Sequence, residues 1–146
     1  MVAEWFIYAV GAALLYGLHQ VFTKLAADHI SDGWGGLVVE ITAALTIAGY
    51  LCYLRFAGKW NQNATDIGVF YSVLTGLCVG AGTLLFFLLF QKGGPLSAVP
   101  MVLAGGAALM ALVGILFFRE PASWTRLLGI AFALVGLFLL RSPSSK

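Results

Sequence analysis

The sequence predicts an all-α integral membrane protein with five transmembrane helices. Of its 146 residues, 61% are hydrophobic and only 10% are charged, and the mean hydropathy is +0.97. A soluble globular domain carries about 25% charged residues. The apolar residues also fall into five long runs separated by short polar stretches, and such runs are typical of membrane-spanning helices. We therefore expect one transmembrane domain over residues 1–146, with helices at about 5–26, 34–56, 67–90, 96–118 and 124–140.

The connections between these runs are short and leave no room for a separate soluble domain. Side chains that favour helix N-termini lie at three of them: Ser31 or Asp32 before the second helix, Asp66 before the third and Ser123 before the fifth. Tryptophan prefers the interface between bilayer and water. The four tryptophans lie at or near predicted helix ends: Trp5, Trp34, Trp60 and Trp124.

The fourth run contains no charged residue from Leu96 to Phe118, and a proline, Pro95, precedes it. At 1.5 Å per residue it is about 34 Å long, enough to cross a hydrocarbon core of about 30 Å. Pro95 suits the first position of a helix, whereas Pro100 lies deeper and is expected to kink it. The segment 104–108 (AGGAA) has very small side chains, so a second helix could approach it closely.

Several classes of function are disfavoured by composition and spacing. The net charge of +2 comes without a basic cluster, which argues against nucleic-acid binding. Cys52 and Cys78 lie inside apolar runs, so we expect two buried thiols and no disulfide. His19 and His29 lack the spacing of a metal site, and neither a Ser-His-Asp set nor a Walker lysine is evident. The sequence therefore predicts no enzyme, no catalytic residues, no metal and no cofactor.

Helices one to four each present one face that is polar or small. Helix five shows small positions without a polar face and is expected to be scaffold. Such faces can merely hold helices together, but four in a row suggest that they surround a cavity. At 100° per residue the four faces are Tyr16, His19, Gln20, Thr23 and Lys24; Gly36, Glu40, Ala43, Ala44 and Ile47; Ser72, Thr75, Gly76, Gly80 and Thr83; and Ser97, Met101, Gly105, Ala108 and Leu112.

Glu40 is the one carboxylate well inside an apolar run of the sequence. A charge at that depth is costly, so it marks a functional site by default. Consecutive helices run antiparallel, and His19 and Thr83 each lie seven residues from the helix end that faces the start of helix two. Glu40, His19 and Thr83 should therefore share one depth. Two interpretations remain open: a structural ion pair of Glu40 with His19 or Lys24, or a binding site for substrate and protons.

The basic residues are balanced across the membrane. Five spans place the two chain ends on opposite sides, with four basic groups on each side, so the positive-inside rule selects no orientation. Insertion in both orientations followed by antiparallel pairing would build an inverted repeat from two copies of one chain. The two sets are Arg55, Lys59, Arg119 and Arg126 on one side, and Lys24, Lys92, Arg141 and Lys146 on the other.

Three segments carry a resemblance to a known family. They are WFIYAVGAALLYGLHQVFTKLA in helix one, GGPLSAVP at the start of helix four, and FFREPASWTRLLGIAFALVGLFLL at the end of the chain. In their order and spacing, over almost all of the chain, they resemble a five-helix EamA-like unit of the drug/metabolite transporter superfamily. Most members of that superfamily have ten helices, two such units inverted in one chain, so this chain would be half of a ten-helix inverted-repeat transporter.

The resemblance implies a transporter of small metabolites or drugs whose first, third and fourth helices line a central cavity. A single unit would have to dimerise. One departure matters: many relatives have a basic residue near the position of Glu40, so a cationic or zwitterionic substrate, or proton coupling, is favoured over an anion. Together with Glu40, the resemblance and the polar faces give these candidates for binding substrate or protons: Glu40, His19, Tyr16, Gln20, Thr23, Ser72, Thr75, Thr83, Ser97 and Met101.

The preferred hypothesis is a small secondary transporter or exporter of amphipathic metabolites or drugs. It would work by alternating access as an antiparallel homodimer in the plasma (inner) membrane of a prokaryote, with a small molecule and the lipid bilayer as its other partners. Two alternatives are a flippase subunit for a lipid carrier and a membrane subunit that does not itself transport.

Overall fold

The computed structural model describes residues 4–119 and, beyond them, residues 121, 123–125, 127–129, 131–132 and 135. The described chain is helical. Its elements are α1 (Glu4–Ala27), α2 (Asp32–Phe56), α3 (Asp66–Gln91), a short 3-10 turn (Leu96–Ala98) and α4 (Val99–Leu116).

The first four predicted spans are confirmed to within a few residues at their ends. The helices α1, α2 and α3 and the combined segment Leu96–Leu116 are each long and apolar enough to cross a membrane. The fifth predicted helix, 124–140, falls largely outside the described residues and stays a prediction.

Turn chemistry explains where α2 and α3 begin and end. Thr65, and not the predicted Asp66, is the N-cap of α3, and its Oγ1 accepts a hydrogen bond from the Gly68 N–H at 3.2 Å. Ser31 is the N-cap of α2, although its side chain makes no capping hydrogen bond. Gly58 and Gly93 follow the C-termini of α2 and α3 with φ of 67° and 83°, a conformation that glycine adopts without steric cost.

Contacts divide the chain into two units, Met1–Gly93 and Gly94–Lys146. In the first unit α3 contacts both α1 and α2, most extensively α2. Its interior lies where α1 and α3 end and α2 begins: Phe87 and Phe90 are fully buried there, with Ala27 and Gly35. Most large apolar side chains point outward, as expected for helices in contact with lipid.

In the second unit the 3-10 turn precedes α4, which begins at Val99. Pro100 therefore lies in the first turn of the helix, where its missing N–H costs nothing. The predicted kink at an interior Pro100 is thus wrong, because the preceding residues form a separate turn. A Cβ added at Gly105 or Gly106 would meet no described atom within 4 Å, so close packing at these glycines stays a prediction.

Candidate functional site

The candidate site centres on a hydrogen bond between α2 and α3. The Thr83 hydroxyl donates to Glu40 Oε1 at 2.7 Å. Thr83 is only 5% exposed, and Glu40 is partly buried. A hydroxyl bonded to a carboxylate gives a short, strong hydrogen bond. This contact confirms the predicted common depth for Glu40 and Thr83, whereas the same depth for His19 stays a prediction.

Two glycines at the start of α2 permit the close approach that this bond requires. A Cβ on Gly35 would overlap the ring of Phe87, and a Cβ on Gly36 would lie 3.0 Å from Cδ2 of Leu84. Both positions are buried, and they lie one turn before Glu40. Small residues at a helix contact let the two backbones come together in this way. The packing of Gly35 against Phe87 thus helps to place Glu40 against Thr83.

The helix α1 brings further buried polar side chains to the same unit. Gln20 and Thr23 are 6% and 2% exposed, and the Thr23 hydroxyl donates to the backbone carbonyl of His19 at 2.8 Å. Among the described residues, Nδ1 of His19 and Oε1 of Gln20 are buried without a hydrogen-bond partner. Buried polar atoms of native proteins usually have a partner. These two atoms are therefore candidates to contact a ligand, a water molecule or a second chain.

The structure contradicts one of the two open interpretations, the ion pair of Glu40 with His19 or Lys24. Within residues 4–119, no basic group lies within 4.0 Å of the Glu40 carboxylate. Lys24 instead forms a long, exposed ion pair with Asp28, at 3.5 Å, and its Nζ lies 5.6 Å from the centre of the Phe90 ring. Near the membrane surface Lys24 can keep its charge hydrated, which favours this arrangement over a pair deeper in the bilayer.

A second hydrogen bond between distant parts of the chain lies at the surface end of the unit. The Gln91 side-chain amide donates to the backbone carbonyl of Ile30 at 2.9 Å and so ties the end of α3 to the α1–α2 connection. This contact lies two turns beyond Thr83 along α3. Together with buried Phe87 and Phe90, it fixes the ends of the helices around the candidate site.

The remaining predicted site residues of the first unit are exposed and form no described hydrogen bond to Glu40 or Thr83. Tyr16 is 68% exposed. Ser72 and Thr75 are exposed and donate to backbone carbonyls four residues earlier, those of Gly68 and Tyr71, both at 2.9 Å. Such bonds satisfy a hydroxyl within its own helix. Ser97 and Met101 belong to the second unit and are exposed within it. Their role in a binding site stays a prediction.

Sequence reasoning missed the packing that supports the site. It assigned Gly36 to the Glu40 face but did not identify Gly35 and Phe87 as a contact. The paired glycines in the GWGG segment were the available signal, since small residues mark close helix approaches. Their aromatic partner on α3 could not be chosen among the many apolar residues of that helix.

No group of three His, Cys, Asp or Glu side chains in the described part of the chain could hold a metal ion. Cys52 and Cys78 are free thiols, but they are exposed on the outer surfaces of α2 and α3. The prediction of buried thiols is therefore wrong, because most side chains of these apolar helices point outward and not into the protein interior.

These features define a multi-pass membrane protein that carries a polar contact between its spans. The chain belongs to the EamA-like transporter family, whose model matches residues 3–142. Both the predicted resemblance and the assignment to a membrane transporter class are thereby confirmed. The family is one of transporters.

Three relatives illustrate which proteins this chain is similar to. An uncharacterized transporter in the cobO 3' region of Sinorhizobium sp. is 25% identical, over 96% of this chain and 98% of its own length. An uncharacterized protein of Methanocaldococcus jannaschii is 27% identical over 88% and 89% of the two chains. A probable 4-amino-4-deoxy-L-arabinose-phosphoundecaprenol flippase subunit, ArnE, of Yersinia pseudotuberculosis is 28% identical over 71% and 93%. No solved structure gives a significant match.

Proposed function

We propose that this chain is one half of a small secondary transporter that carries amphipathic metabolites or drugs by alternating access. Two copies in antiparallel orientation would form the inverted repeat that many transporters obtain by internal duplication. The near-complete mutual coverage with the Sinorhizobium relative supports a unit of this size. The balanced basic residues support insertion in both orientations. The plasma (inner) membrane of a prokaryote is the proposed location.

The observation that carries the proposal is the environment of Glu40. Its carboxylate lies within a span, and its described partner is the hydroxyl of Thr83 and not a base. A carboxylate without a compensating positive charge is costly in the membrane unless a cation or a proton neutralises it. A cationic or zwitterionic substrate could supply that charge, and a proton could replace it during the transport cycle. Glu40 is therefore proposed to bind substrate and protons in alternation.

Neighbouring polar groups would bind the uncharged parts of the substrate. His19 and Gln20 offer buried atoms without partners, and Thr23 and Thr83 are buried hydroxyl residues of the same unit. A few polar groups among apolar surroundings are typical of small-molecule sites. Five further residues complete the proposed lining when the cavity is assembled by two copies: Tyr16, Ser72, Thr75, Ser97 and Met101.

A ligand screen on the purified protein tests this proposal. Matched sets of amphipathic cations, zwitterions and anions are added, and the melting temperature is measured, since a specific ligand stabilises the folded state by mass action. We expect some cations or zwitterions to stabilise the parent and to lose that effect in Glu40→Gln. Glu4→Gln, which removes an exposed carboxylate at the start of α1, is the control and should respond like the parent. Stabilisation by anions, or equal stabilisation of parent and Glu40→Gln, would contradict the proposed site.

A second candidate function is a subunit of a lipid-carrier flippase. The Yersinia relatives named as flippase subunits favour it, because a subunit implies a partner chain. In that case the cavity would open sideways to lipid and the partner would differ from this chain. A third candidate is a subunit that does not transport and packs beside a partner.

Co-purification separates a homodimer from these alternatives. Two copies with different affinity tags are expressed together in membranes, and one tag is used for isolation. Recovery of the second tagged copy supports the homodimer. Recovery of a different membrane protein in equal amount, with the second copy missing, supports the hetero-pair. Genes of a lipid-sugar pathway next to this one would favour the flippase.

A further inference from the structure

A basic cleft lies at the end of α2, away from the Glu40 site. Leu51, Cys52, Arg55 and Trp60 line a cleft of about 450 Å³. The first three are spaced so that they share one face of α2. Arg55 lies in the last turn of the helix, and Trp60 follows in the connection to α3. The cleft thus combines an apolar wall, a guanidinium group and an indole ring.

The position of this cleft matches the headgroup region of a bilayer. The 25 residues of α2 span about 37 Å, which exceeds the hydrocarbon thickness of about 30 Å. The last turn of α2 therefore reaches the interface. Trp60 is 48% exposed there, as expected for an indole in the interfacial belt. Leu51 and Cys52 lie one turn deeper, at the level of acyl chains.

A backbone turn at the end of α2 lies between two basic residues, Arg55 and Lys59. The N–H of Lys59 donates to the carbonyl of Leu54 at 3.0 Å, and the N–H of Ala57 donates to Tyr53 at 2.9 Å. Gly58, with φ of 67°, permits the chain to reverse its direction between Ala57 and Lys59. This helix-ending turn folds the chain back over the end of α2. It keeps Lys59 and Trp60 next to the last turn, which carries Arg55.

Within residues 4–119, these basic groups have no acidic partner in an ion pair. The sequence contains no Asp or Glu between Glu40 and Asp66. In the part of the chain that the structure describes, neither Arg55 nor Lys59 forms an ion pair, whereas Lys24 pairs with Asp28. Guanidinium binds phosphate through a planar fork of donors, and lysine contributes a point charge. The surface therefore complements a phosphate group that is attached to a hydrocarbon chain.

We propose that the cleft at the end of α2 binds an anionic phospholipid. The phosphate would lie between Arg55 and Lys59, Trp60 would contact the glycerol region, and an acyl chain would follow Leu51 and Cys52. Basic pockets at the membrane surface bind lipid headgroups in this manner. Each basic side chain near the surface should strengthen the binding of an anionic lipid about fivefold. This lipid site does not depend on the proposed transport function.

The first test compares lipids that remain bound to the purified full chain. Phosphatidylglycerol and phosphatidylcholine are supplied in equal amounts, and retained lipid is measured by native mass spectrometry. The parent should prefer phosphatidylglycerol. R55Q/K59Q should lose about fivefold of that preference for each charge removed. K92Q removes a basic side chain at the end of α3 and should behave like the parent.

Equal retention of the two lipids by the parent would overturn the proposal. So would a loss of preference in K92Q equal to the loss per removed charge in R55Q/K59Q, because that result would reflect net charge alone. Displacement of the lipid by millimolar inorganic phosphate would show that the site takes a soluble phosphate, which also contradicts the proposal.

A second measurement does not depend on the folding of the double variant. Tryptophan fluorescence of the parent and of W60F is recorded in bilayers with brominated phosphatidylglycerol or brominated phosphatidylcholine, and the difference isolates Trp60. Brominated phosphatidylglycerol should quench the Trp60 signal more strongly than brominated phosphatidylcholine. Equal quenching by both lipids means that Arg55 and Lys59 merely extend to the interface without selecting a lipid, and it would overturn the proposal.

Discussion

The Thr83 hydroxyl donates a 2.7 Å hydrogen bond to the Glu40 carboxylate, 43 positions earlier in the chain. This bond joins the first part of α2, two turns after its start, to the last third of α3. It replaces the ion pair with His19 or Lys24 that the sequence allowed. A hydroxyl brings no compensating positive charge to a carboxylate, whereas a protonated histidine or a lysine would. That difference decides what the site can bind and what each of the following substitutions should do.

Replacing Thr83 by valine keeps the branched shape but removes the hydroxyl. We expect a loss of about 0.6–2 kcal/mol in stability, the range for interhelical hydrogen bonds in membranes. Because Glu40 then loses its described donor, ligand binding at the site should weaken as well. Both are measured by thermal unfolding in detergent, with and without ligand.

Thr46→Val is the matched control for this change, since the Thr46 hydroxyl is exposed, bonds within its own helix and is not part of the proposed site. It should change stability by less than Thr83→Val and leave binding intact. If the two variants lose the same amount of stability and of ligand binding, the hydrogen bond to Glu40 has no special role.

Alanine at Gly35 should strain the contact between α2 and α3. Its Cβ would overlap the ring of buried Phe87, and such overpacking costs about 1–3 kcal/mol. Gly33 lies in the same turn of α2, but a Cβ there meets no described atom within 4 Å. Gly33→Ala should therefore be neutral or slightly stabilising, because alanine favours a helix. Thermal unfolding of the two variants checks this contrast, and equal melting temperatures would contradict the packing.

Much of the fold was predictable because length and hydropathy dominate in a bilayer. The runs from Trp5 and Trp34 and their two successors correspond to observed helices. Pro100 was misjudged because its consequence depends on where the helix begins. The separate turn before Val99 arises from local backbone hydrogen bonding and not from hydropathy.

The depth of the candidate site could be predicted from the sequence, but the hydrogen-bond partner of Glu40 could not. Counting residues from helix ends placed Glu40 and Thr83 at one level, since the rise per residue of a helix is fixed. Choosing between Thr83, His19 and Lys24 required the rotation of each helix about its axis. That rotation follows from the fit of Gly35 against Phe87, a contact that sequence periodicity does not specify.

Insertion in both orientations should respond to small changes of charge. With four basic groups predicted on each side, adding two or three lysines at the N-terminus should fix that end on the cytoplasmic side. Reporters fused to the C-terminus, one active inside and one outside, measure the orientation. The unmodified chain should give both signals and the lysine-rich variant one. A single orientation in the unmodified chain that does not respond to added lysines would contradict dual insertion and weaken the antiparallel homodimer.

Removing the charge of Glu40 separates a structural role from a functional one. Glu40→Gln keeps the size of the side chain and can still accept a hydrogen bond from Thr83. Because no base pairs with Glu40 within residues 4–119, the substitution leaves no buried positive charge without a partner. The variant should therefore fold with nearly the stability of the parent. It should nevertheless fail to transport a cationic substrate in reconstituted vesicles.

The pH dependence of ligand binding completes this last prediction. A proton on Glu40 removes the charge that would attract a cation, so protons and a cationic ligand compete, and the affinity of the parent should fall as the pH is lowered. Binding is measured between about pH 5 and pH 9, the range in which buried carboxyls and histidines titrate. Because histidine is in general a pH-sensitive side chain, His19→Gln is measured in parallel and should retain the pH dependence. Lys24, paired with Asp28 near the surface, should contribute little to the pH dependence.

Glu40→Gln should show an affinity that is low and independent of pH. If the parent binds equally well across the range and the variant transports normally, Glu40 is a structural residue and the coupling of transport to protons is refuted.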